Sequence, residues 1–524
     1  MRLLGLTLLL ACWSDAAQAR WLEAASDHFV VYADTRETTL REFADELELY
    51  HSAVEKVSGR SVAVPSPSSR ITIYVVGDMR EIRRLSRDES RFVAGFYMPR
   101  ASGSLAFVPR ITSRGSATDF SQTVLLHEYA HHLLISTGNH AMPRWLSEGA
   151  AEFYASAKFN RDGSVLIGTA AMHRAGELFN AAEVSVERLL DDRLYQEGRG
   201  RGYDAYYGRA WLLYHFLIFT DARRGQLSSY WAKLTSGTPS LQAGREAFGD
   251  LAVLEDELDD YLHGRRINQF QLTDLSGSPI TIRPLSAGEA AVMPLRMVSK
   301  RGVSREEALE LLPKIRAVAA SFPDDAAVQA ALAEAEFDAG NTAEAIVAAD
   351  AALAADPTQV NAYVQKGFAL FRQAEGSDNA AATYHAAMEP FRALNRLEND
   401  HTLPLIYLYR SYRERGEEPS ELAIQALERA LELAPYDQDL RMMAALQQAS
   451  DGRLEPARLT LQPVAFAPHG GGRSIAAGRL LTYLADREDG TIIGMDPLMA
   501  AMRAPTAAET AIAGADAADT STED

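Results

Sequence analysis

The 524-residue sequence holds one cysteine, Cys12, which excludes a disulfide framework, a CxxC redox site and any cysteine-rich zinc module. Positive charge is also scarce: 52 lysines and arginines stand against 71 aspartates and glutamates, a net charge of −19. Such a field repels polyanions, so nucleic acid is excluded as a first partner and anionic membranes gain no general foothold. No apolar run reaches the ~20 residues of a bilayer span. A phosphate-binding glycine loop and a Gly-x-Ser-x-Gly elbow are missing as well, so Pro468-His-Gly-Gly-Gly472 reads as a flexible connector. What the chain has is apolar residues, 47% against 23% charged, a globular composition with length for about three domains. Metal chemistry in such a chain must use histidine and carboxylates.

Residues 1–19 read as a secretory signal: Arg2 gives the positive start, Leu3 to Trp13 the apolar run, and Ala17-Gln18-Ala19 the small-x-small cleavage site. The expectation is an exported chain, periplasmic or secreted, starting at Arg20. Leu9-Leu10-Ala11-Cys12 resembles a bacterial lipoprotein signal, and by that route Cys12 would carry a lipid anchor. Residues 501–524 are rich in alanine and threonine and, from Pro505 on, acidic, which predicts a disordered tail.

Between the ends, residues 20–265 alternate strand-like and helical patterns. His28–Ala33, Arg70–Val76 and Gly103–Val108 read as strands, Glu37–Val57 and Glu81–Leu85 as helices. After Asp119 helices dominate: one capped by Asp119 and Gln122 that stops at Thr137-Gly138, then Arg144–Ala155, Tyr207–Phe219 and Leu251–Leu262. Residues 266–300, with Gly, Ser, Pro and short strand-like runs, read as a junction. In residues 301–500, Pro323, Pro357, Pro435 and Pro468 follow helical segments at spacings of 34, 78 and 33. A period near 34 is the tetratricopeptide spacing. Turn glycines Gly340, Gly416 and Gly452 support it, and the 78-residue interval holds two units plus an insertion around Ala374–Ala381.

The chemistry concentrates in His127-Glu128-Tyr129-Ala130-His131. Residues four apart share a helix face, so both imidazoles can reach one ion while Glu128 takes a proton from water beside it. Catalytic zinc takes three protein ligands and leaves one position open. Trp145-Leu-Ser-Glu-Gly-Ala-Ala-Glu152 can supply the third, Glu148, from a second helix returning antiparallel. Glu152, one turn on, is a candidate hydrogen-bond partner for a metal-bound histidine.

HExxH followed by Trp-Leu-x-Glu-Gly-x-Ala, with Glu148 17 residues after His131, resembles the gluzincin metallopeptidases, specifically peptidase-MA-like proteins, with aminopeptidase N and the leukotriene hydrolase as relatives. The resemblance implies that the α+β lobe is a zincin-like metallopeptidase domain, and the repeat spacing predicts an all-α tetratricopeptide-type solenoid after it. The resemblance also implies one Zn2+ per chain held by His127, His131 and Glu148. Tyr207, in Tyr207-Gly-Arg-Ala-Trp-Leu-Leu-Tyr-His-Phe-Leu217, matches the tyrosine that stabilises the oxyanion in the aminopeptidases, with Tyr203 and Tyr206 as alternatives. Those relatives carry Gly-x-Met-Glu-Asn on the strand before the zinc helix, whereas Gly103-Ser-Leu-Ala-Phe107 has neither Glu nor Asn. Without that anchor a substrate's free amine would be costly to desolvate. The expectation is therefore an endopeptidase acting on a peptide or protein substrate laid antiparallel along this strand, with a protein partner on the repeats. The alternative is a non-catalytic cell-envelope scaffold working through those repeats.

Overall fold

The computed structural model describes residues 21–87, 95–111, 120–136, 138, 140–200, 202–264, 266–467 and 471–504. The signal segment, Cys12, the cap Asp119, Thr137, Pro468–Gly470 and the tail from Pro505 lie outside the described residues.

Six strands form the main sheet: β1 (Trp21–Ala25), β2 (Phe29–Asp34), β3 (Ile71–Val75), β4 (Phe96–Met98), β5 (Leu105–Val108) and, far along the chain, β9 (Thr281–Pro284). Their order is β4-β5-β3-β2-β1-β9. β2, β3 and β5 run parallel, and antiparallel partners flank them on both sides. A second sheet of β6 (Lys158–Phe159), β7 (Val165–Ile167) and β8 (Phe270–Leu272) is small.

One face of the main sheet packs on α1 (Glu37–Ser58), through Leu40, Phe43, Leu47 and Tyr50; α2 (Met79–Ser86) packs on the other through Ile82 and Leu85, and the core of the first face continues into α3 (Phe120–Ser136) and α4 (Arg144–Ala155). On the other face Tyr32, Tyr74 and Phe107 stack in a row, with centroids 5.5 and 5.2 Å apart. The helix Ala287–Lys300 covers that row with Met293 and Met297. Burial on both faces is why these strands read as continuous apolar runs rather than alternating ones.

Two expectations need correction. The strand at Gly103–Phe107 is no free edge, because β4 pairs antiparallel with it, Tyr97 opposite Ala106, and so takes the edge position itself. The stretch 266–300 is no loose junction either: β8 completes the small sheet, β9 completes the large one, and the helix Ala287–Lys300 seals its second face. Strand structure therefore persists beyond Asp119, although its pieces are short.

The C-terminal half is a run of paired helices. Ala326–Asp338 packs with Thr342–Ala355, Thr402–Glu414 with Glu421–Leu433, and Gln438–Ser450 with Leu454–Ala465. Gly340 and Gly452 turn between partners at φ of 83° and 78°, the left-handed exit glycine adopts without penalty. Ala345 and Ala457, five residues on, are fully buried where the paired helices approach. The 78-residue interval contains the helix Val360–Ala374, whose partner is broken into Ala380–Ala387 and Glu389–Leu397. Pro390 sits in the first turn of the second piece, where its missing N–H and fixed φ suit a helix start. The last helix, Met495–Arg503, runs past residue 500 into the stretch read as tail.

The solenoid curls back onto the first lobe. Ser68 donates from its backbone N (2.9 Å) and its Oγ (2.7 Å) to the Glu398 carboxylate. The backbone N of Ala101 donates to Asp437 (2.7 Å), Thr402 donates to the Ala101 carbonyl, and Arg100 donates to the Lys300 carbonyl (2.8 Å). The loop between β4 and β5 thus sits among the first helices of successive pairs.

Candidate metal centre

α3 is apolar nearly all round and buried for most of its length, so its histidines are held by packing. α4 starts after Pro143 and lies across α3 and the helix Tyr206–Phe219. Gly149 explains the close crossing: a Cβ there would stand 2.4 Å from the Ala210 carbonyl oxygen. The glycine after Glu148 lets α4 approach closely enough to turn that carboxylate inward, where it is fully buried.

His127, His131 and Glu148 converge. The two Nε2 atoms are 3.1 Å apart, and Glu148 Oε2 lies 3.3 Å from His127 Nε2 and 3.4 Å from His131 Nε2. One ligand atom from each lies within 4.8 Å of the others. Burial raises the Glu148 carboxyl, but the two imidazoles outweigh it and hold it well below the usual carboxylate range. Burial likewise opposes charge on His127, yet Glu152 and Glu148 push it up to about 10. Two imidazoles with one carboxylate are a donor set that suits Zn2+ with a position left open. These residues fit the ion.

The surroundings orient the donors. His127 Nδ1 lies 3.2 Å from Glu152 Oε1, and His131 Nδ1 lies 3.2 Å from Ser147 Oγ, which leaves each Nε2 for the centre. Glu152 is fastened in turn by His173 Nε2 (2.5 Å) and by Arg174 Nε and Nη2 (3.0 and 2.5 Å). Burial works against its charge, but His127, His173 and Arg174 keep it ionised.

Glu128, next on α3, makes no hydrogen bond or ion pair with another described residue and faces a cleft of about 560 Å³. Tyr97 and Met98 of β4 line one side of it, and Tyr436 and Arg441 of the solenoid line another. His132 faces the cleft too; its Nδ1 meets the Tyr97 hydroxyl at 2.5 Å and its ring lies 4.3 Å from that of Tyr436.

The three tyrosines separate. Tyr203 is exposed and donates to Glu177 (2.7 Å). Tyr206 is fully buried beneath the Arg144 guanidinium, 4.3 Å from its ring centroid. Tyr207 is half-buried, with Arg174 4.8 Å from its ring. Burial and then the nearby Glu148 carboxylate push its hydroxyl up, while Arg144 and Arg174 pull the other way.

Ser147, His173, Arg174 and the solenoid residues of the cleft escaped the sequence reading. Ser147 was readable as the neighbour of Glu148. His173 and Arg174 sit in a 3-10 turn, Met172–Arg174, and carry no motif.

A family described as a protein of unknown function (DUF1570) matches residues 121–240, which span α3, α4 and the helix of Tyr207. No curated protein matches the chain. Among solved structures, the thermophilic TPR protein TTC0263 of Thermus thermophilus is similar at 18% identity and a TM-score of 0.31, covering 37% of this chain and 97% of its own. The MamA RS-1 ArsTM double mutant is similar at 18% identity and a TM-score of 0.26, covering 32% of this chain and 90% of its own.

Proposed function

We propose that this chain is an exported zinc-dependent peptidase of gluzincin, peptidase-MA-like type, acting as an endopeptidase, with a tetratricopeptide-type solenoid as one wall of its cleft. The carrying observation is the buried convergence of His127, His131 and Glu148 beside a carboxylate, Glu128, that opens to a cleft. A purely structural zinc site is closed by four protein ligands and needs no such neighbour.

His127, His131 and Glu148 would hold one Zn2+ per chain, which when bound supplies Lewis acidity to the peptide carbonyl and the attacking water. Glu128 accepts a proton from that water as its oxygen bonds to the carbonyl carbon, and delivers it to the amine nitrogen as the C–N bond breaks. Tyr207 donates its hydroxyl hydrogen to the carbonyl oxygen as negative charge gathers there. Glu152 keeps the Nδ1 proton of His127 in place. The outer edge of β4 offers backbone groups to an extended substrate.

The test is hydrolysis of unfolded casein by the zinc-loaded full chain, read as new amino termini. Turnover that disappears on chelation and returns with Zn2+ supports the reading, and no turnover of casein or a peptide library overturns it. A second reading, a non-catalytic envelope scaffold binding protein partners through its repeats, draws on the exposed apolar side chains Val347 and Leu422 of the solenoid. It gains if the cleavage assay is silent.

A further inference from the structure

The side chain six residues after a repeat proline does the same job at three of the four prolines, the fourth, Pro468, lying outside the described residues. Gln329 Nε2 donates to the Pro323 carbonyl (3.0 Å), the Tyr363 hydroxyl to the Pro357 carbonyl (3.0 Å), and Arg441 Nε to the Pro435 carbonyl. A neutral amide or phenol suffices at the first two. Arginine at the third therefore brings a charge and two further nitrogens that the turn does not need.

Those nitrogens have no hydrogen bond or ion pair with a described residue, although Arg441 is only 6% exposed. The two acids at the start of its own helix are engaged elsewhere. Asp437 accepts from the backbone N of Ala101 and of Leu440, and Asp439 pairs with Arg473. Burial, with no carboxylate to offset it, pulls the guanidinium down to about 10, so it stays charged at neutral pH. A buried arginine is ordinarily paired, and an unpaired one costs desolvation. Its place on the same cleft as Glu128 and His131 shows where a counter-charge would come from. In a chain of net charge −19, it also offsets the general repulsion of acidic ligands at that spot.

We propose that Arg441 is a specificity-determining residue that binds a carboxylate of the peptide substrate, a chain-terminal carboxylate or an Asp or Glu side chain, on the solenoid side of the cleft. The assignment rests on the peptidase reading, since it takes the occupant of the cleft to be a peptide. Guanidinium and carboxylate match in planar, two-point geometry.

The experiment is binding of unlabelled unstructured decapeptides to the full chain carrying Glu128→Gln, freed of metal with a chelator and followed by isothermal titration calorimetry. Three peptides are compared: one with a free carboxyl terminus and one internal Asp, its terminal amide, and the amide with Asp replaced by Asn. The most acidic peptide should bind about tenfold or more tighter than the neutral one, and the step at which affinity falls identifies the source of the carboxylate. Arg441→Gln, which can keep the Pro435 bond as Gln329 keeps its own, should melt like the parent and lose the preference. Equal binding of all three peptides overturns the proposal, and so does an undiminished preference in a folded Arg441→Gln protein. The first of those outcomes needs no variant to fold. Because binding is read without metal, failure of the hydrolysis assay alone leaves this result to stand or fall by itself.

Discussion

His127 Nδ1 and Glu152 Oε1 are 3.2 Å apart across the α3–α4 interface, and His173 and Arg174 hold the same carboxylate in place. In the proposed zinc-bound state Nδ1 donates to Glu152 and Nε2 is the donor atom to the metal. Removing that charge by Glu152→Gln should lower zinc affinity about 10–100-fold while leaving the three donors in place. Competition against a chromophoric chelator reads the change. An unaltered affinity would show that His127 needs no such partner.

Gly149→Ala tests the packing that turns Glu148 inward. The added methyl would meet the backbone carbonyl of Ala210 at 2.4 Å, and a backbone atom cannot swing aside as a flexible side chain can. We expect ~1–3 kcal/mol of lost stability, read by urea unfolding, together with weakened metal binding as α4 shifts. Stability equal to the parent's would mean that the close approach to Tyr206–Phe219 is dispensable.

The weave of residues 266–300 into both sheets changes what truncation should do. A fragment of residues 20–264 lacks β8, β9 and the helix Ala287–Lys300, leaving Tyr74 and Phe107 without the Met293 and Met297 that cover them. It should aggregate or melt without a cooperative transition, whereas the full chain melts sharply. A cooperative melt of that fragment by circular dichroism would disprove this.

His51 supplies a pH signature. Its ring stacks on His28 at 3.7 Å and its Nδ1 meets the Tyr129 hydroxyl at 2.5 Å. Burial, and then the charge of His28, pulls it down to about 4 against the opposing pull of Glu55 and Glu48. The unfolded chain takes up this proton near pH 6.5 and the folded chain only near 4, so the unfolded state binds more protons in between. Stability should fall as pH drops through that window, with part of the loss due to His51. His51→Gln should flatten the decline of melting temperature between pH 6.5 and 4. An identical slope in both proteins would remove His51 as its source.

Long helices were legible because their apolar spacing and end signals are local: Leu251–Leu262 coincides with its expected bounds, and α1 runs one residue past them. The convergence of His127, His131 and Glu148 was readable because two of them share a helix face and the third stands on the next helix. β4 was not legible. Its three residues hold no alternation of their own and become a strand only by pairing with β5. Arg441 lies 441 − 128 = 313 residues from Glu128, and only the curl of the solenoid brings it to the same cleft. A repeat pattern tells where helices pair but not what their inner face meets.

Glu128 is the proposed base. Its replacement by Gln keeps the side-chain volume and can still hold water by a hydrogen bond, but the amide accepts no proton at neutral pH. The decisive measurement is the rate at which new amino termini appear from unfolded casein, with wild type and Glu128→Gln compared at equal bound zinc. We expect one zinc per chain in both and a rate ~10²–10⁴-fold lower in the variant. Equal rates would show that Glu128 is not the base and that the proposed mechanism is wrong.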